Sequence, residues 1–200
     1  MTKNVDLFKN ISYNIKSSME DSMRIISGIK RGYKLIEFSG QDIRPTTDRV
    51  KESMFNLIQE FVPEAQVLDL FGGSGALTFE AISRGAKSGT IVDIDKNSIS
   101  VINKNLDALG FSNVKVLNCD AVNFIKTTKD KFSIIFLDPP YNRGFITPII
   151  ESIVENNLLT DDGIIVLESD FSDEHSEFSG LSILKQRKYG RSFVTVYEKG

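Results

Sequence analysis

Residues 67–75, Val-Leu-Asp-Leu-Phe-Gly-Gly-Ser-Gly, form the stretch that decides the fold. They have the pattern of a short buried strand that runs into a glycine-rich turn, and the apolar residues after them predict a helix through Ser83. Glycines at such a turn let the backbone approach a ligand closely, and the first turn of the helix offers free N–H groups. The pattern therefore predicts a strand–turn–helix unit with a ligand at its turn, with a purely structural tight turn as the alternative.

Strands and helices alternate on both sides of this unit. We predict strands at 66–71, 90–94, 114–117, 132–137 and 163–167, and helices at 99–109, 121–126 and 145–156. This alternation indicates an α/β fold with a mostly parallel, doubly wound, Rossmann-like sheet. Two runs at 182–188 and 192–198 predict a terminal antiparallel hairpin, and the segment 23–39 predicts another hairpin before a helix that ends near Glu60.

We divide the chain into a leader at 1–22, an N-terminal hairpin and helix at 23–62, and a main domain at 63–200. The leader is polar and aperiodic, so we expect it to be poorly ordered, with Met23 as an alternative start. One cysteine, Cys119, and one histidine, His175, exclude an internal disulfide and the usual zinc sites, so no metal is expected. Without an apolar run of ~20 residues or a signal peptide, we expect a cytoplasmic protein that is not bound to a membrane. We also expect the protein to be a monomer.

Charge is unevenly distributed along the chain. The net charge of -3 argues weakly against a general nucleic-acid binder. Residues 23–52, however, contain seven basic and four acidic residues, and residues 185–200 contain five basic and one acidic. A local basic patch can still hold phosphates, so these two segments are candidates for contact with nucleic acid.

Three acidic residues lie at the carboxyl ends of three of the predicted strands, where open α/β sheets bind ligands. The turn does not match the G-x-G-x-x-G spacing of nicotinamide sites. It suits S-adenosylmethionine (SAM): Asp69 can meet the cationic methionine end, Asp93 the ribose hydroxyls and Asp120 the adenine amino group. Asp93 as a solvated carboxylate and Asp120 as a helix cap are the structural alternatives. The predicted cofactor site consists of Asp69, Phe71, Gly72, Gly73, Ser74, Gly75, Asp93, Asp120 and Ala121.

Residues 134–141, Ile-Ile-Phe-Leu-Asp-Pro-Pro-Tyr, carry the most specific signal. The carboxylate of Asp138 and the carbonyl of Pro139 could together accept both N–H bonds of an exocyclic base amine and aim its lone pair at the SAM methyl group. Pro140 stiffens the loop, and Tyr141 can stack on a base that has swung out of its helix. We therefore predict a class I SAM-dependent methyltransferase that acts on a nucleic-acid base, with Arg143 as a candidate phosphate contact.

The sequence resembles the bacterial family that methylates the guanine N2 amine of small-subunit (16S) ribosomal RNA. The matching segments are 24–28, 31–32, 44–52 (RPTTDRVKE), 68–77, 80–86 and 138–141. The resemblance implies a seven-stranded sheet, SAM as donor, and 16S RNA in the small subunit or an assembly intermediate as substrate. It also implies that the hairpin and the RPTTDRVKE helix face the RNA, so we predict RNA contacts at Arg24, Arg31, Arg44, Thr46 and Arg49.

Two alternatives remain open at this point. A DNA adenine-N6 methyltransferase would use the same Asp-Pro-Pro-Tyr motif, because adenine also presents an exocyclic amine, but the chain has no room for a separate DNA-recognition domain. A catalytically silent SAM-fold module that binds ribosomal RNA is the second alternative. The intact Asp138 and Tyr141 argue against it.

Overall fold

The computed structural model describes residues 23–37, 48–139, 144, 146–170, 177–190 and 192–200. The predictions for the leader 1–22 and for Arg44, Thr46, Pro140, Tyr141 and Arg143 lie outside these residues. In chain order the strands are β1 (Gln66–Asp69), β2 (Ser88–Asp93), β3 (Val114–Asn118), β4 (Phe132–Leu137), β5 (Leu159–Asp170), β6 (Leu181–Tyr189) and β7 (Ser192–Lys199). The helices are α1 (Asp48–Leu57), α2 (Ala76–Ser83), α3 (Lys96–Leu109), α4 (Ala121–Thr127) and α5 (Ile146–Glu155).

The described strands form one seven-stranded sheet in the order β3-β2-β1-β4-β5-β7-β6. The first five strands of this order are parallel, and β7 pairs antiparallel with both β5 and β6. The polypeptide therefore reverses its direction across the sheet after β3, where β4 returns to the other side of β1. Such a switch point leaves a crevice at the carboxyl ends of β1 and its neighbours. The predicted α/β class and the terminal hairpin are confirmed.

Alternating side chains of the central strands bury two faces of the sheet. Leu68, Ile135 and Leu167 pack against α4 and α5, whereas Val67, Ile134 and Val166 pack against α1 and α2. Helix α2 is buried on all sides because the N-terminal segment covers it, and this segment adds Met23, Ile25 and Leu35 to a third cluster that includes Phe79 and Ile102. This all-round burial explains why α2 lacks a polar face.

The N-terminal segment forms the predicted hairpin. Arg24 and Lys34 form an antiparallel bridge, and the Leu35 N–H donates to the Met23 carbonyl over 2.8 Å. The bend between the two arms rests on α2, where the Ile29 N–H donates to the Ser83 carbonyl over 2.8 Å. A side chain at Gly28 would overlap the Ser83 backbone, at 1.8 Å from its oxygen. Glycine is therefore required at this close approach.

Several predicted boundaries were wrong. Strand β5 spans Leu159–Asp170 rather than 163–167. Its extra residues pair with Phe132 at one end and with Ser192 at the other. The polar Asp161 and Asp162 lie in an irregular stretch between Leu159 and Ile164, where the register with β4 shifts. Strand β1 ends at Asp69 rather than residue 71, and α1 ends at Leu57 rather than near Glu60.

A buried ionic cluster joins the hairpin to α1 and α2. The Glu80 carboxylate, fully buried, accepts from the Ile26 and Ser27 N–H groups over 2.7 and 3.0 Å and lies 2.6 Å from Arg84 Nε. Lys51 Nζ lies 3.7 Å from Glu80 Oε2 and donates to the Arg24 carbonyl. Burial lowers the pKa of the Lys51 ammonium, an effect that the nearby Glu80 and Asp48 carboxylates oppose. Lys51 and Glu80, which lie in the segments that match the family, therefore hold the N-terminal hairpin, α1 and α2 together.

Replacing Lys51 with methionine is expected to lower the free energy of unfolding by roughly 3 kcal/mol, because removing one partner leaves a buried charge uncompensated. The exposed Arg49 lies on the same helix, and Arg49→Met serves as the matched control, with an expected change within about 0.5 kcal/mol. Urea titration followed by circular dichroism measures both. Equal effects of the two substitutions would contradict a structural role for the Lys51–Glu80 pair.

Candidate active site

The glycine turn lies at the carboxyl end of β1, at the switch point of the sheet. Gly75 precedes α2 in the left-handed region with φ 81°, and its N–H donates to the Gly72 carbonyl over 2.6 Å. A Cβ on Gly72 would lie 2.2 Å from Ile91 Cγ2, so this glycine lets the turn pack closely against the Ile91 side chain of β2. A Cβ on Gly73 would have only the Phe71 carbonyl within 4 Å, at 3.9 Å. The open side of the turn at Gly73 is thus available to a ligand.

Asp69 lies beneath this turn and is 1% exposed. Its Oδ2 accepts from the Thr78 hydroxyl over 3.2 Å, whereas Oδ1 has no hydrogen-bond partner among the described residues. Burial, with a smaller contribution from Asp93, raises the pKa of the Asp69 carboxyl to about 7, although the hydrogen bond from Thr78 opposes the rise. A buried acceptor without a partner is costly, and it marks a position where a cationic or hydrogen-bonding ligand would be favoured.

Asp93, at the end of β2, braces the turn from the other side. Its Oδ2 accepts from the Gly73 N–H over 2.9 Å and its Oδ1 from the Asp95 N–H over 2.8 Å. Burial raises the pKa of the Asp93 carboxyl, and these two hydrogen bonds oppose that rise. A carboxylate has about four acceptor positions, so Asp93 can still receive ribose hydroxyls while it holds the turn. Between Asp93 and Asp95, the side chain of Ile94 is 71% exposed.

Asp120 follows β3 and is exposed. Its side chain caps α4 by accepting from the Asn123 N–H over 2.9 Å, and Ala121 is the buried first residue of that helix. The capping alternative is therefore present in the structure. It engages one carboxylate oxygen, so the predicted contact with an adenine amino group stays a prediction.

Asp138 and Pro139 directly follow β4, next to β1 in the sheet. Asp138 is half-buried and Pro139 is buried. The register pairs Asp69 with Ile91 of β2 and with Phe136 of β4. Continued by two residues, past the last residues of β1 and β4, this register aligns Asp93, Phe71 and Asp138 in one row across the carboxyl ends of the three strands. The structure brings the predicted catalytic Asp138 and the predicted cofactor-binding Asp93 to opposite sides of the glycine turn.

Asn105 is a residue that sequence reasoning missed. Its side chain on α3 is 2% exposed, and its Nδ2 donates to the carbonyls of Ser74 and Ile36, each over 3.0 Å. Its Oδ1 accepts from the Ile36 N–H over 2.8 Å. Asn105 therefore ties the glycine turn to the second arm of the hairpin. An asparagine on the apolar stripe of α3, between Ile102 and Leu109, was the signal that could have found it.

The predicted RNA contacts that the structure describes are all exposed: Arg24, Arg31 and Arg49. Arg24 Nε forms an ion pair with Asp48 Oδ2 at 3.0 Å, so the positive charge of Arg24 is partly neutralised within the protein. In the described parts of the chain, no group of three or more His, Cys, Asp or Glu side chains is arranged to hold a metal ion. None of the described helices has the length and apolarity needed to cross a membrane.

The parallel sheet with its switch point, glycine turn and antiparallel β7 defines a class I SAM-dependent methyltransferase fold. A solved structure titled "Putative methyltransferase yhhF from Escherichia coli" superimposes with a TM-score of 0.80 at 34% identity, covering 89% of this chain and 98% of that one. The family model described as "Conserved hypothetical protein 95" matches residues 23–198.

Two curated relatives narrow the family. "Ribosomal RNA small subunit methyltransferase D" of Escherichia coli strain K12 is 39% identical over 74% of this chain and 75% of the relative. "Putative rRNA methyltransferase YlbH" of Bacillus subtilis is 38% identical over 88% and 99%. The chain therefore belongs to the ribosomal RNA small subunit methyltransferase D family, and the family predicted from the sequence is confirmed.

Proposed function

We propose that this protein transfers a methyl group from SAM to the exocyclic N2 amine of a guanine in small-subunit ribosomal RNA. The observation that supports this proposal is the alignment of Asp93, Phe71 and Asp138 across the sheet. It brings the Asp-Pro-Pro-Tyr motif, which we propose binds the amine, next to the glycine turn, which we propose binds the cofactor. The relatives named as ribosomal RNA small subunit methyltransferases support RNA as the substrate class. The motif supports an exocyclic amine as the acceptor, and the choice of guanine N2 rests on the resemblance of the RPTTDRVKE segment.

The residues at the turn fit SAM. The unpartnered Oδ1 of Asp69 suits its positively charged methionine end, and the open side of Gly73 leaves room for the ligand. Asp93 has acceptor capacity for the ribose hydroxyls. The exposed Ile94 beside it offers an apolar surface to the adenine ring. The remaining proposed contacts are Phe71, Gly72, Ser74, Gly75, Asp120 and Ala121.

When bound, SAM supplies an electrophilic methyl group on a sulfonium. The contribution of this chain is to position the amine. The Asp138 carboxylate and the Pro139 carbonyl accept the two N–H bonds of the guanine amine, so the nitrogen lone pair points toward the cofactor turn. The N–H held by Asp138 would be placed to pass its proton to that carboxylate as the nitrogen takes the methyl group, with the C–S bond broken and the sulfur leaving as a neutral thioether. Tyr141 would stack on the base once it has left its helix.

Radiolabelled methyl transfer from SAM to RNA and small subunits of a strain lacking this gene tests the proposal. We expect N2-methylguanosine in the small-subunit RNA, identified by nucleoside mass analysis. N6-methyladenine in DNA with no RNA product would instead establish the DNA adenine methyltransferase. SAM binding without transfer to either would establish the non-catalytic RNA-binding module. Comparing free RNA with assembled subunits also identifies the form of the substrate.

A further inference from the structure

The edge strand β6 brings two basic residues to the level of the catalytic motif. The register pairs Leu137 with Leu167, Glu168 with Val194, and Val194 with Arg187. One residue beyond Leu137, Asp138 therefore begins a row that continues through Glu168 and Val194 to Arg187. Neighbouring strands lie about 4.8 Å apart, so three strand spacings put the Arg187 backbone about 14 Å from that of Asp138.

Arg187 and its neighbour Lys188 point to opposite faces of this edge. Arg187 shares a face with Val194, which packs in the cluster that contains α1, and Lys188 pairs with Phe193 on the other face. Both side chains are exposed, and Lys188 Nζ lies 5.6 Å from the centre of the Phe193 ring. The strand ends two residues after Arg187, in a turn at Gly190. A polymer that passes the end of this strand can meet both cations.

The charges at this edge of the sheet are divided between its two sides. Asp69 and Asp93 end β1 and β2, and Asp95 and Asp120 come shortly after β2 and β3, on the cofactor side. Arg187 and Lys188 lie on the far side of the catalytic motif. On β5, between the motif and β6, Glu168 is 4% exposed, and Asp170 ends the strand in register with Ser192. Lys185, two residues earlier, is engaged by Glu60 Oε1 at 2.8 Å and belongs to the protein's own packing. A polyanion would be repelled by the cofactor side and attracted to the end of β6.

We propose that Arg187 and Lys188 form a second RNA-binding surface, which holds phosphates of the nucleotides that flank the methylated base. This inference rests on the proposed function and adds to it a surface on the opposite flank from the N-terminal hairpin. RNA would then be held on both sides of the catalytic motif, with the reactive base between the two basic segments. Cations that contact phosphates contribute affinity in a salt-dependent way and carry little sequence information.

The test is the double charge reversal Arg187→Glu with Lys188→Glu, assayed with small subunits from a strain lacking the gene. The matched control is Lys87→Glu with Lys129→Glu, two exposed lysines that precede β2 and β4 at the opposite end of the strands, with the same change in net charge. We expect the first variant to raise the KM for subunits at least about tenfold at low salt. The slope of log affinity against log salt should become shallower by about 1.4, with kcat and the Kd for SAM nearly unchanged.

Equal KM values for the two double variants would overturn the proposed surface, and so would a fall in kcat with KM unchanged. The milder pair Arg187→Gln with Lys188→Gln replaces the reversal if SAM binding shows that the latter is misfolded, and an unchanged KM for that pair would likewise overturn the surface. If the wild-type protein transfers no methyl group to RNA while it still binds SAM, the proposed function fails, and this inference fails with it. Comparing wild type with the variants therefore separates the two failures.

Discussion

Asp69→Asn is expected to weaken SAM binding on the order of 100-fold and, at the same time, to stabilise the ligand-free protein at about pH 8. Binding weakens if, as we propose, Asp69 faces the cationic end of the cofactor, because loss of one partner of a buried charge pair costs about 3–5 kcal/mol. Stability rises because the ionised carboxylate is buried with Oδ1 unpartnered among the described residues. The buried carboxylate of Asp69 would thus favour cofactor binding while it lowers the free energy of unfolding of the ligand-free protein.

The direction of the change in stability with pH follows from the raised pKa of Asp69. The folded protein holds this proton up to about pH 7, whereas the unfolded chain releases it near the ordinary aspartate pKa of 3.8. The stabilising contribution of the protonated group is therefore complete below about pH 4 and is lost as the pH rises to about 7. Above that pH the asparagine variant avoids the buried charge, and after the cost of its own unpaired amide we expect a gain of roughly 1–2 kcal/mol. Near pH 4 the gain should disappear.

Thermal unfolding across this pH range and calorimetric titration with SAM measure the two effects of Asp69→Asn. The exposed Asp107→Asn is the control, because it makes the same chemical change on the surface of α3. Retained SAM affinity would remove Asp69 from the cofactor site. A variant less stable than wild type at about pH 8 would contradict the raised pKa.

Asp138→Ala is expected to lower kcat by about 100- to 1000-fold while the Kd for SAM stays within about twofold of wild type. The reason is that, in the proposed function, this carboxylate orients the amine on the β4 side of the turn, whereas the proposed cofactor contacts lie on β1, β2 and the turn. Loss of one aligned hydrogen-bonding group at a reacting centre has effects of this size. Single-turnover methyl transfer with saturating small subunits measures the chemical step directly.

Two further variants sharpen the test of Asp138. Asp138→Asn keeps an acceptor oxygen and should retain more activity than the alanine variant, because one N–H of the amine can still be held. Asp107→Ala serves as the surface control and should be as active as wild type. Near-normal turnover by Asp138→Ala would exclude the role assigned to the Asp-Pro-Pro-Tyr motif.

Much of this site could be predicted because its parts are local. The glycine turn is recognisable from nine consecutive residues, since a strand, a turn and a helix start each leave a short periodic signal. Asp69, Asp93, Asp120 and Asp138 were placed at strand ends from the same patterns, and the parallel arrangement then put them at one edge. The Asp-Pro-Pro-Tyr motif and the RPTTDRVKE segment identified the family, which the comparisons confirm.

Other properties could not be read from local patterns because they depend on contacts between distant residues. Lys51 and Glu80 have the sequence signature of exposed helix residues, yet both are buried, since the hairpin of residues 23–37 covers them. Asn105 acquires its partners from Ile36 and Ser74, 69 and 31 residues away. The raised pKa of Asp69 likewise arises from burial rather than from its neighbours in the chain.

The sequence by itself determined the α/β class, the glycine turn, the acids at the strand ends and the family, because each is encoded in short segments or in the succession of elements. The tertiary structure alone decided that β7 lies between β5 and β6, which puts Arg187 in register with Asp138. It also decided the extent of β5 and the burial of the charged cluster. The physical reason is that strand pairing and burial are set by partners far away in the chain, and their hydrogen bonds and desolvation leave no local pattern.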